Sequence, residues 1–212
     1  YLPELASGLG YTLLLCAVSA LIALAIGAGL TLAQLRGPRW LRLIAAGYTT
    51  LCLGLPLLIV IYLLFYVLPN YGLTLEPGVV GVAALSLYYG PYFAGVMEAA
   101  MRSLPPGQNE AAAAVGLSPW RGFRRVLLPQ AFPRMLPSST GLLIGLTKDS
   151  ALLAVVSVPE FMFHARQAVS DTYAAVEIYV SIALVYWLLS TLCAALSARL
   201  EAKFTAHLSL AS

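Results

Sequence analysis

Charged side chains are scarce inside the apolar runs of this sequence, and three of them could act on a charged or zwitterionic solute. Lys148 and Asp149 are neighbours within an apolar run, and Glu98 lies near the end of another. A charge at the centre of a bilayer costs at least about 2.5–3.5 kcal/mol, so these groups must face protein or water and have partners. Two interpretations stay open: the groups line a path for the solute, or they hold helices together, for example through a pair with Glu98.

Three further side chains belong to the same candidate path or gate. Ser150 closes the polar stretch of residues 147–150, which interrupts its apolar run, so the helix there is predicted to be broken or to line a cavity. Tyr88 and Tyr92 lie within another run and, like Tyr89 between them, either line a cavity or belong to an interfacial aromatic belt.

Enzymatic chemistry has no support in the sequence. It contains no Gly-x4-Gly-Lys-Ser/Thr phosphate loop, no Gly-x-Ser-x-Gly elbow and no His-Glu-x-x-His metal pair. Cys16, Cys52 and Cys193 each lie inside an apolar run, which favours packing over a disulfide or a metal site. We therefore predict no catalytic residue, no metal site and no cofactor bound by this chain.

The composition is that of an integral membrane protein. Of 212 residues, 60% are hydrophobic and only 10% are charged, and the mean hydropathy is +0.86; soluble domains carry about 25% charged residues. The apolar runs use most of the length, which excludes a soluble catalytic module. We treat residues 1–212 as a single transmembrane domain.

The fold class predicted is all-α, with five transmembrane helices. A bilayer core of about 30 Å needs roughly 20 helical residues, and five segments meet this requirement. The first is expected to remain as a membrane anchor, since no basic stretch precedes it as in a signal peptide. Gly54 and Pro56 lie inside the second and predict a kink or a close helix contact there. The spans are residues 10–33, 43–68, 79–101, 134–157 and 176–198.

The basic residues near the span ends predict the orientation. Ten of them fall on one side of the predicted membrane, and the other side has five acidic residues against Arg166 alone. The N-terminus is therefore expected outside, the C-terminus in the cytoplasm, and residues 102–133 in one cytoplasmic loop. Residues 159–175, which include Glu160, are expected to lie along the outer face. The ten basic residues are Arg36, Arg39, Arg42, Arg102, Arg121, Arg124, Arg125, Arg134, Arg199 and Lys203.

The cytoplasmic loop is predicted to contain one short helix. Asn109 can cap its start, Glu110 lies in its first turn, and residues 111–114 are alanines, which favour helix. Gly116 is a plausible C-terminal stop. A helix of about two turns is not stable alone in water, so it must dock on another surface. The arginines that follow are explained by the positive-inside rule or by contact with lipid headgroups.

The loop resembles the EAA loop of ABC importer permeases, whose pattern is EAA, x3, G, x9, I, x, LP. Here the matching residues are Glu110, Ala111, Ala112, Gly116 and Pro129, and Val126 replaces the isoleucine. The resemblance implies that the short helix is a coupling helix, which docks into a cleft on a separate ATP-hydrolysing subunit. Longer blocks, including "YYGPYFAGVMEAAMRSLPPGQNEAA" and "TKDSALLAVVSVPEF", are similar to the polar amino-acid branch of histidine, glutamine, arginine and opine permeases.

Several polar positions of that branch are altered in this sequence. Leu53-Gly54-Leu55-Pro56 stands where the branch has Arg-Gly-Thr-Pro, and the glutamate of its third span becomes Gly95. These losses suggest that a non-identical second permease supplies part of the polar path.

The resemblance implies a transmembrane subunit of an ATP-binding cassette importer in the bacterial cytoplasmic (inner) membrane, forming the path for a polar amino acid or an opine-like derivative. Its partners would be a second permease, two ATP-binding subunits that hold ATP and Mg, an extracytoplasmic solute-binding protein and membrane lipid, but no nucleic acid. The alternative is a self-sufficient secondary transporter or channel that uses Lys148, Asp149 and Glu98 as an ion relay.

Overall fold

The computed structural model describes residues 1–205, which form helices joined by short turns and contain no β-strand. The α-helices are α1 (Leu2–Arg36), α2 (Arg39–Gly54), α3 (Leu57–Tyr62), α4 (Pro77–Arg102), α5 (Gln108–Ala114), α6 (Pro119–Gly122), α7 (Leu128–Asp149), α8 (Phe161–Thr172) and α9 (Ala175–Thr205). Two π-helical segments (Leu63–Val67 and Phe123–Leu127) and two 3₁₀ segments (Leu68–Tyr71 and Ser150–Val156) connect some of them.

Within these residues, four helical stretches are long and apolar enough to cross a membrane, and a fifth qualifies if a bent pair of helices counts as one span. This confirms the predicted all-α membrane architecture, with four to five spans. The stretches are Leu2–Arg36, Pro77–Arg102, Pro119–Val156 and Ala175–Lys203, and the bent pair is Arg39–Gly54 with Leu57–Tyr71.

The second predicted span is not one continuous helix. Its two halves meet at 106°, a much sharper bend than a kink. Leu55 has the extended backbone that a residue before proline favours, and Pro56 is extended as well, so the first helix stops at Gly54 and a new one starts at Leu57.

The fourth predicted span begins earlier than expected, because helical structure runs from Pro119 to Val156. The last part of the predicted loop at residues 102–133 is therefore helical. The expected interruption at residues 147–150 appears as a change of helix type, since the α-helix ends at Asp149 and a 3₁₀ segment starts at Ser150. Residues 159–175 contain a regular helix, α8 (Phe161–Thr172), which buries Phe161, Ala165 and Ala168.

Small side chains let α1 and α4 pack closely. A Cβ on Gly27 would lie 2.8 Å from the Cβ of Phe93 and 3.0 Å from the backbone of Gly90 and Ala94, so only glycine fits there. Thr31, one turn further, donates to its own helix at the Gly27 carbonyl (2.8 Å) and lies 3.3 Å from the Ala94 carbonyl. Such small-residue contacts are typical of membrane helices, where dispersion and close approach hold the pair together.

A proline in the middle of α4 frees one carbonyl, and α2 provides its donor. Pro91 has no N–H, so the carbonyl of Leu87 four residues earlier lacks its helical partner. The hydroxyl of Tyr48 donates to that carbonyl at 2.6 Å. A neighbouring helix thus satisfies the exposed backbone group, as the membrane interior requires.

The helix α1 connects the two ends of the bundle. Its first turns contact α8, and its last residue, Arg36, donates to the Pro119 carbonyl (3.1 Å) and lies over the Phe123 ring. At 1.5 Å per residue, α1 is roughly 50 Å long. We call these ends the α8 end and the α5 end.

Candidate functional site

The half-buried carboxylate of Asp149 is held by a tyrosine near the middle of α4. Tyr89 donates its hydroxyl to Asp149 Oδ2 at 2.8 Å. Gly145, one turn before Asp149, leaves room for this contact, because a Cβ there would lie 3.0 Å from the Tyr89 oxygen. Sequence reasoning placed Tyr88 and Tyr92 in the candidate site and missed Tyr89 as the partner of Asp149. The glycine on the same helix face was the available signal.

The three tyrosines of α4 form one aromatic cluster. The Tyr88 and Tyr92 rings lie 5.4 Å apart, and each lies within 6 Å of the Tyr89 ring. The hydroxyls of Tyr88 and Tyr92 are 3.3 Å apart. The structure therefore brings both predicted tyrosines to Asp149 through Tyr89, and the cluster presents hydroxyl donors beside a carboxylate.

The three consecutive residues at the end of α7 have different surroundings. Lys148 is exposed, and its ammonium makes no hydrogen bond or ion pair within residues 1–205. Ser150 is fully buried and donates to the Thr147 carbonyl at 2.8 Å. Lys148 is in the last turn of α7, where the helix dipole favours a cation. Lys148 and Asp149 thus present opposite charges in different directions.

Glu98 does not join this group. It accepts from Arg102, one turn further on α4, at 3.0 Å from Nε. Tyr89, which marks the position of Asp149, is nine residues earlier on the same helix, or about 13 Å along its axis. The expected pair between Glu98 and Lys148 or Asp149 is not formed, because the helical register places Glu98 close to the α5 end. The three charges of an ion relay are not assembled.

An open cleft of about 530 Å³ lies between α4 and α7, next to the tyrosine cluster. Its lining includes Tyr92, Ser138, Leu142 and, from α2, Leu53. Arg134 closes it toward the α5 end, where its guanidinium donates to the backbone carbonyl and the hydroxyl of Ser103. The cleft is large enough for a small polar solute, and its lining includes the guanidinium of Arg134 and the phenol of Tyr92.

The second candidate region is the short helix α5. It begins at Gln108, after Gly107 in a left-handed conformation, so the expected start with Asn109 as the cap is wrong. Gly107, with φ of 92°, turns the chain into the helix two residues earlier. Glu110 lies in the first turn, as predicted.

The end of α5 is a Schellman motif centred on Gly116. The Leu117 N–H donates to the Ala112 carbonyl at 3.0 Å, and the Gly116 N–H donates to the Ala113 carbonyl at 2.9 Å. Gly116 has a φ of 76°, which a residue with a Cβ adopts only at a cost. The helix has seven residues, fewer than an isolated helix needs for stability.

One face of α5 rests on the segment that leads into α7. Ala112 is buried, and a Cβ on Gly122 would lie 3.2 Å from its methyl group. Gln130 of α7 donates to the Gln108 side chain at 3.0 Å. The opposite face is open: Glu110 and Ala111 are exposed, Val115 is 75% exposed, and Pro129 is exposed on α7. This open face, apolar apart from Glu110, is available to a partner.

Comparisons with known proteins give one consistent result. Residues 25–206 match the family model described as binding-protein-dependent transport system inner membrane component. The chain is 32% identical to the probable amino-acid ABC transporter permease protein YckA of Bacillus subtilis (strain 168) over 95% of this chain and 89% of the relative. It is 31% identical to the arginine transport system permease protein ArtQ of the same organism, covering 97% and 94%.

The nopaline transport system permease protein NocQ of Agrobacterium fabrum (strain C58 / ATCC 33970) is 33% identical over 89% of this chain and 85% of the relative. Among solved structures, an amino acid ABC transporter crystallised with histidines matches with a TM-score of 0.89 and 29% identity over 96% of this chain and 95% of that one. The MetNI methionine ABC transporter matches with a TM-score of 0.81 at 21% identity over 96% and 97%, which shows the fold alone.

The matched family covers most of the chain, and the relatives are amino-acid permeases over nearly their whole length. This chain therefore belongs to the binding-protein-dependent transport system inner membrane component family, the membrane-spanning permeases of ABC transporters for amino acids.

Proposed function

We propose that this chain is the transmembrane subunit of an ATP-driven importer and forms the path for a polar amino acid or a related derivative such as an opine. The observation that carries the proposal is α5: a seven-residue helix, stopped by Gly116, that offers an open face at one end of the bundle. The names of the relatives, which include arginine and nopaline permeases, support the substrate class.

The α5 end faces the cytoplasm and the α8 end faces the exterior of a bacterial inner membrane. The ten basic side chains that predicted this orientation all lie in segments at or near the α5 end, including Arg36 beside Pro119 and Arg134 beside Ser103. Positive charge concentrates on the cytoplasmic side of membrane proteins, which supports the assignment.

A separate ATPase holds ATP and Mg and receives α5 in a cleft. Motion of α5 would reach α7 directly, because Gln108 is hydrogen-bonded to Gln130 and Ala112 is packed on Gly122. Helical structure continues from Pro119 to Val156, so a displacement at the docking site is transmitted to Asp149 at the far end of α7. The spans act as a two-state element that the nucleotide state biases.

The solute passes the tyrosine cluster and the end of α7. Tyr92 lines the cleft, Asp149 is bound to Tyr89 in the adjoining tyrosine cluster, and Lys148 offers a cation without a partner within residues 1–205. A second permease completes the path; the altered polar positions at Leu53 and Gly95 support a non-identical one. An extracytoplasmic binding protein delivers the solute to the α8 end.

The test is substrate-stimulated ATP hydrolysis by the reconstituted complex, with a panel of polar amino acids supplied through the binding protein. Glu110→Lys and Gly116→Leu should abolish the stimulation and weaken ATPase association while membrane insertion stays normal. Ser118→Ala is the matched control, since Ser118 is exposed in the same loop and its side chain caps nothing. Normal stimulation in the two α5 variants would refute the coupling role.

Liposomes that contain this chain without the ATPase distinguish an importer subunit from a self-sufficient secondary transporter. Uptake driven by an ion gradient in such liposomes would favour a secondary transporter. We expect none, because Glu98 is paired with Arg102 and lies away from Lys148 and Asp149.

A further inference from the structure

A fully buried carboxylate starts α8. Glu160 is 0% exposed, and it accepts the N–H of Phe163 at 2.8 Å and the N–H of Met162 at 2.9 Å. These are two of the four N–H groups that the first turn of a helix leaves without a helical partner. Glu160 therefore caps α8 with its side chain.

The same point is tied to α1 through Thr12, which is also fully buried. The Phe161 N–H donates to the Thr12 hydroxyl oxygen at 3.0 Å, and that oxygen lies 3.5 Å from Glu160 Oε2. Thr12 also lies 3.0 Å from the Gly8 carbonyl on its own helix. Three consecutive backbone N–H groups at the start of α8 thus donate to side chains: the first donates to Thr12 of α1, and the next two donate to Glu160, the cap of α8.

Two further contacts extend the attachment of α8 to α1. A Cβ on Gly8 would lie 2.6 Å from the His164 ring and 3.2 Å from the Glu160 backbone, so the helices touch without a gap. Tyr1 donates its hydroxyl to Asp171 at 2.9 Å, near the other end of α8. The contact between α1 and α8 therefore runs from Glu160 to Asp171.

The connection of α8 to the preceding 3₁₀ segment is a sharp turn. Residues 157–159, which we call the joint, contain Ser157 in a left-handed conformation with φ of 60° and an exposed Pro159. A cleft of about 350 Å³ separates Val155 from Gln167 of α8. The apolar core also divides here, because Val158 belongs to the main core and Phe161 to a separate cluster with Ala165 and Ile182.

A buried carboxylate is a costly way to attach a helix. Burial raises the pKa of Glu160 to about 7, although the two backbone N–H groups act in the opposite direction. The titratable groups that face it are the Cys16 thiol of α1 and the Tyr186 hydroxyl of α9, and His164 lies one turn further on α8 itself. The carboxylate is retained in an apolar environment, which points to a role in positioning.

We infer that Glu160 is a positioning residue that locks α8 to α1, so that the two helices move as one unit during transport while the joint bends. This inference rests on the proposed function, because it requires a transport cycle. On this inference the contact between α8 and α1 stays the same during transport, and the distance between α8 and the end of the fourth span changes.

Two cross-links in the complete reconstituted complex test it, in a Cys193→Ser background that removes the exposed cysteine. Tyr1→Cys with Asp171→Cys joins α1 to α8, and Val155→Cys with Gln167→Cys joins the 3₁₀ segment to α8 across the cleft. All four positions are exposed, so the substitutions themselves should be tolerated. Each cysteine pair is cross-linked with a short bismaleimide, and uptake is compared before and after cross-linking.

The α1–α8 link should leave uptake within about two-fold, and the link across the cleft should lower it at least about ten-fold. Loss of uptake on closing the α1–α8 link would overturn the inference, and so would normal uptake with both links closed. Failure of the proposed function looks different, since the complex would then show no substrate-stimulated ATP hydrolysis before any link is closed.

Thr12→Val tests the lock itself. It keeps the side-chain shape and removes the hydroxyl, so uptake per ATP hydrolysed should fall, and closing the α1–α8 link should restore it. Thr31→Val is the matched control: Thr31 makes the same bond to its own helix but faces α4. The α1–α8 link should not rescue it. A Thr12→Val defect that the link fails to restore would contradict a positioning role.

Discussion

The hydrogen bond between Tyr48 and the carbonyl that Pro91 frees makes a specific prediction. Tyr48→Phe removes the hydroxyl and leaves the Leu87 carbonyl without a donor in the middle of α4. The effect should depend on the proline. In a Pro91→Ala background the alanine N–H can donate to the same carbonyl, so the tyrosine hydroxyl becomes dispensable.

The size of the effect follows from the cost of an unpaired backbone group. A buried acceptor without a partner costs about 1–3 kcal/mol, whereas hydrogen bonds between membrane helices average about 0.6 kcal/mol and reach about 1.7 kcal/mol. We expect Tyr48→Phe to lower the free energy of unfolding by about 1 kcal/mol, since a carbonyl inside a bilayer has no water to replace the hydroxyl.

The assay is a double-mutant cycle, with unfolding of the purified protein followed by circular dichroism as SDS is added to mixed micelles. Tyr48→Phe should cost about 1 kcal/mol in the natural sequence and close to nothing with Pro91→Ala. Tyr66→Phe is the control, since the Tyr66 hydroxyl has no partner within residues 1–205. An equal cost of Tyr48→Phe in both backgrounds would refute the reasoning.

Three other outcomes follow from the structure. Gly116→Ala should destabilise α5 by about 1–2 kcal/mol and reduce substrate-stimulated ATP hydrolysis, whereas Gly29→Ala, also in open space but without a positive φ, should not. Asp149→Asn should lower the maximal uptake rate at least about ten-fold, and Tyr89→Phe should lower it less because the charge stays; unchanged kinetics would remove Asp149 from the path and the gate. The pKa of Glu160 is raised from 4.5 to about 7, so its contribution to stability is full below pH 4.5 and is gone once the pH has risen through 7. The unfolding midpoint should therefore fall between about pH 4.5 and pH 7, and Glu160→Gln should flatten this dependence.

Features decided by neighbouring residues could be predicted from the sequence. The short helix α5 and its stop at Gly116 depend on alanines, a glycine and the positions between them, all within about two turns of each other. The helical nature of the membrane segments also follows locally, because a bilayer leaves the backbone few alternatives. The predicted start of α5 was wrong by two residues, since Gly107 and Asn109 both suit a helix start and only the observed backbone selects the glycine.

Features decided by the rotation of one helix against another could not be predicted. Three tyrosines lie within five residues of α4, and which of them reaches Asp149 depends on how α4 and α7 face each other. The burial of Glu160 depends in the same way on where α8 lies against α1. The position of the bend after Gly54 was predicted, but its angle of 106° was not, because a glycine and a proline permit a break in the helix without setting its angle.

Three features of the chain each need a different neighbour. Only 6% of the most apolar stretch of α9 is buried inside the protein, so almost the whole surface of this helix requires hydrocarbon or another membrane helix. Lys148 has no intramolecular partner within residues 1–205, and in the proposed importer its partner would be a carboxylate from a solute or a second permease. One face of α5 is packed on the chain itself, and the other, with Val115 exposed, is the face that the proposed ATPase cleft would cover. Lipid, a second permease and a soluble ATPase are the three neighbours that the proposed importer supplies, and no secondary transporter would provide the third.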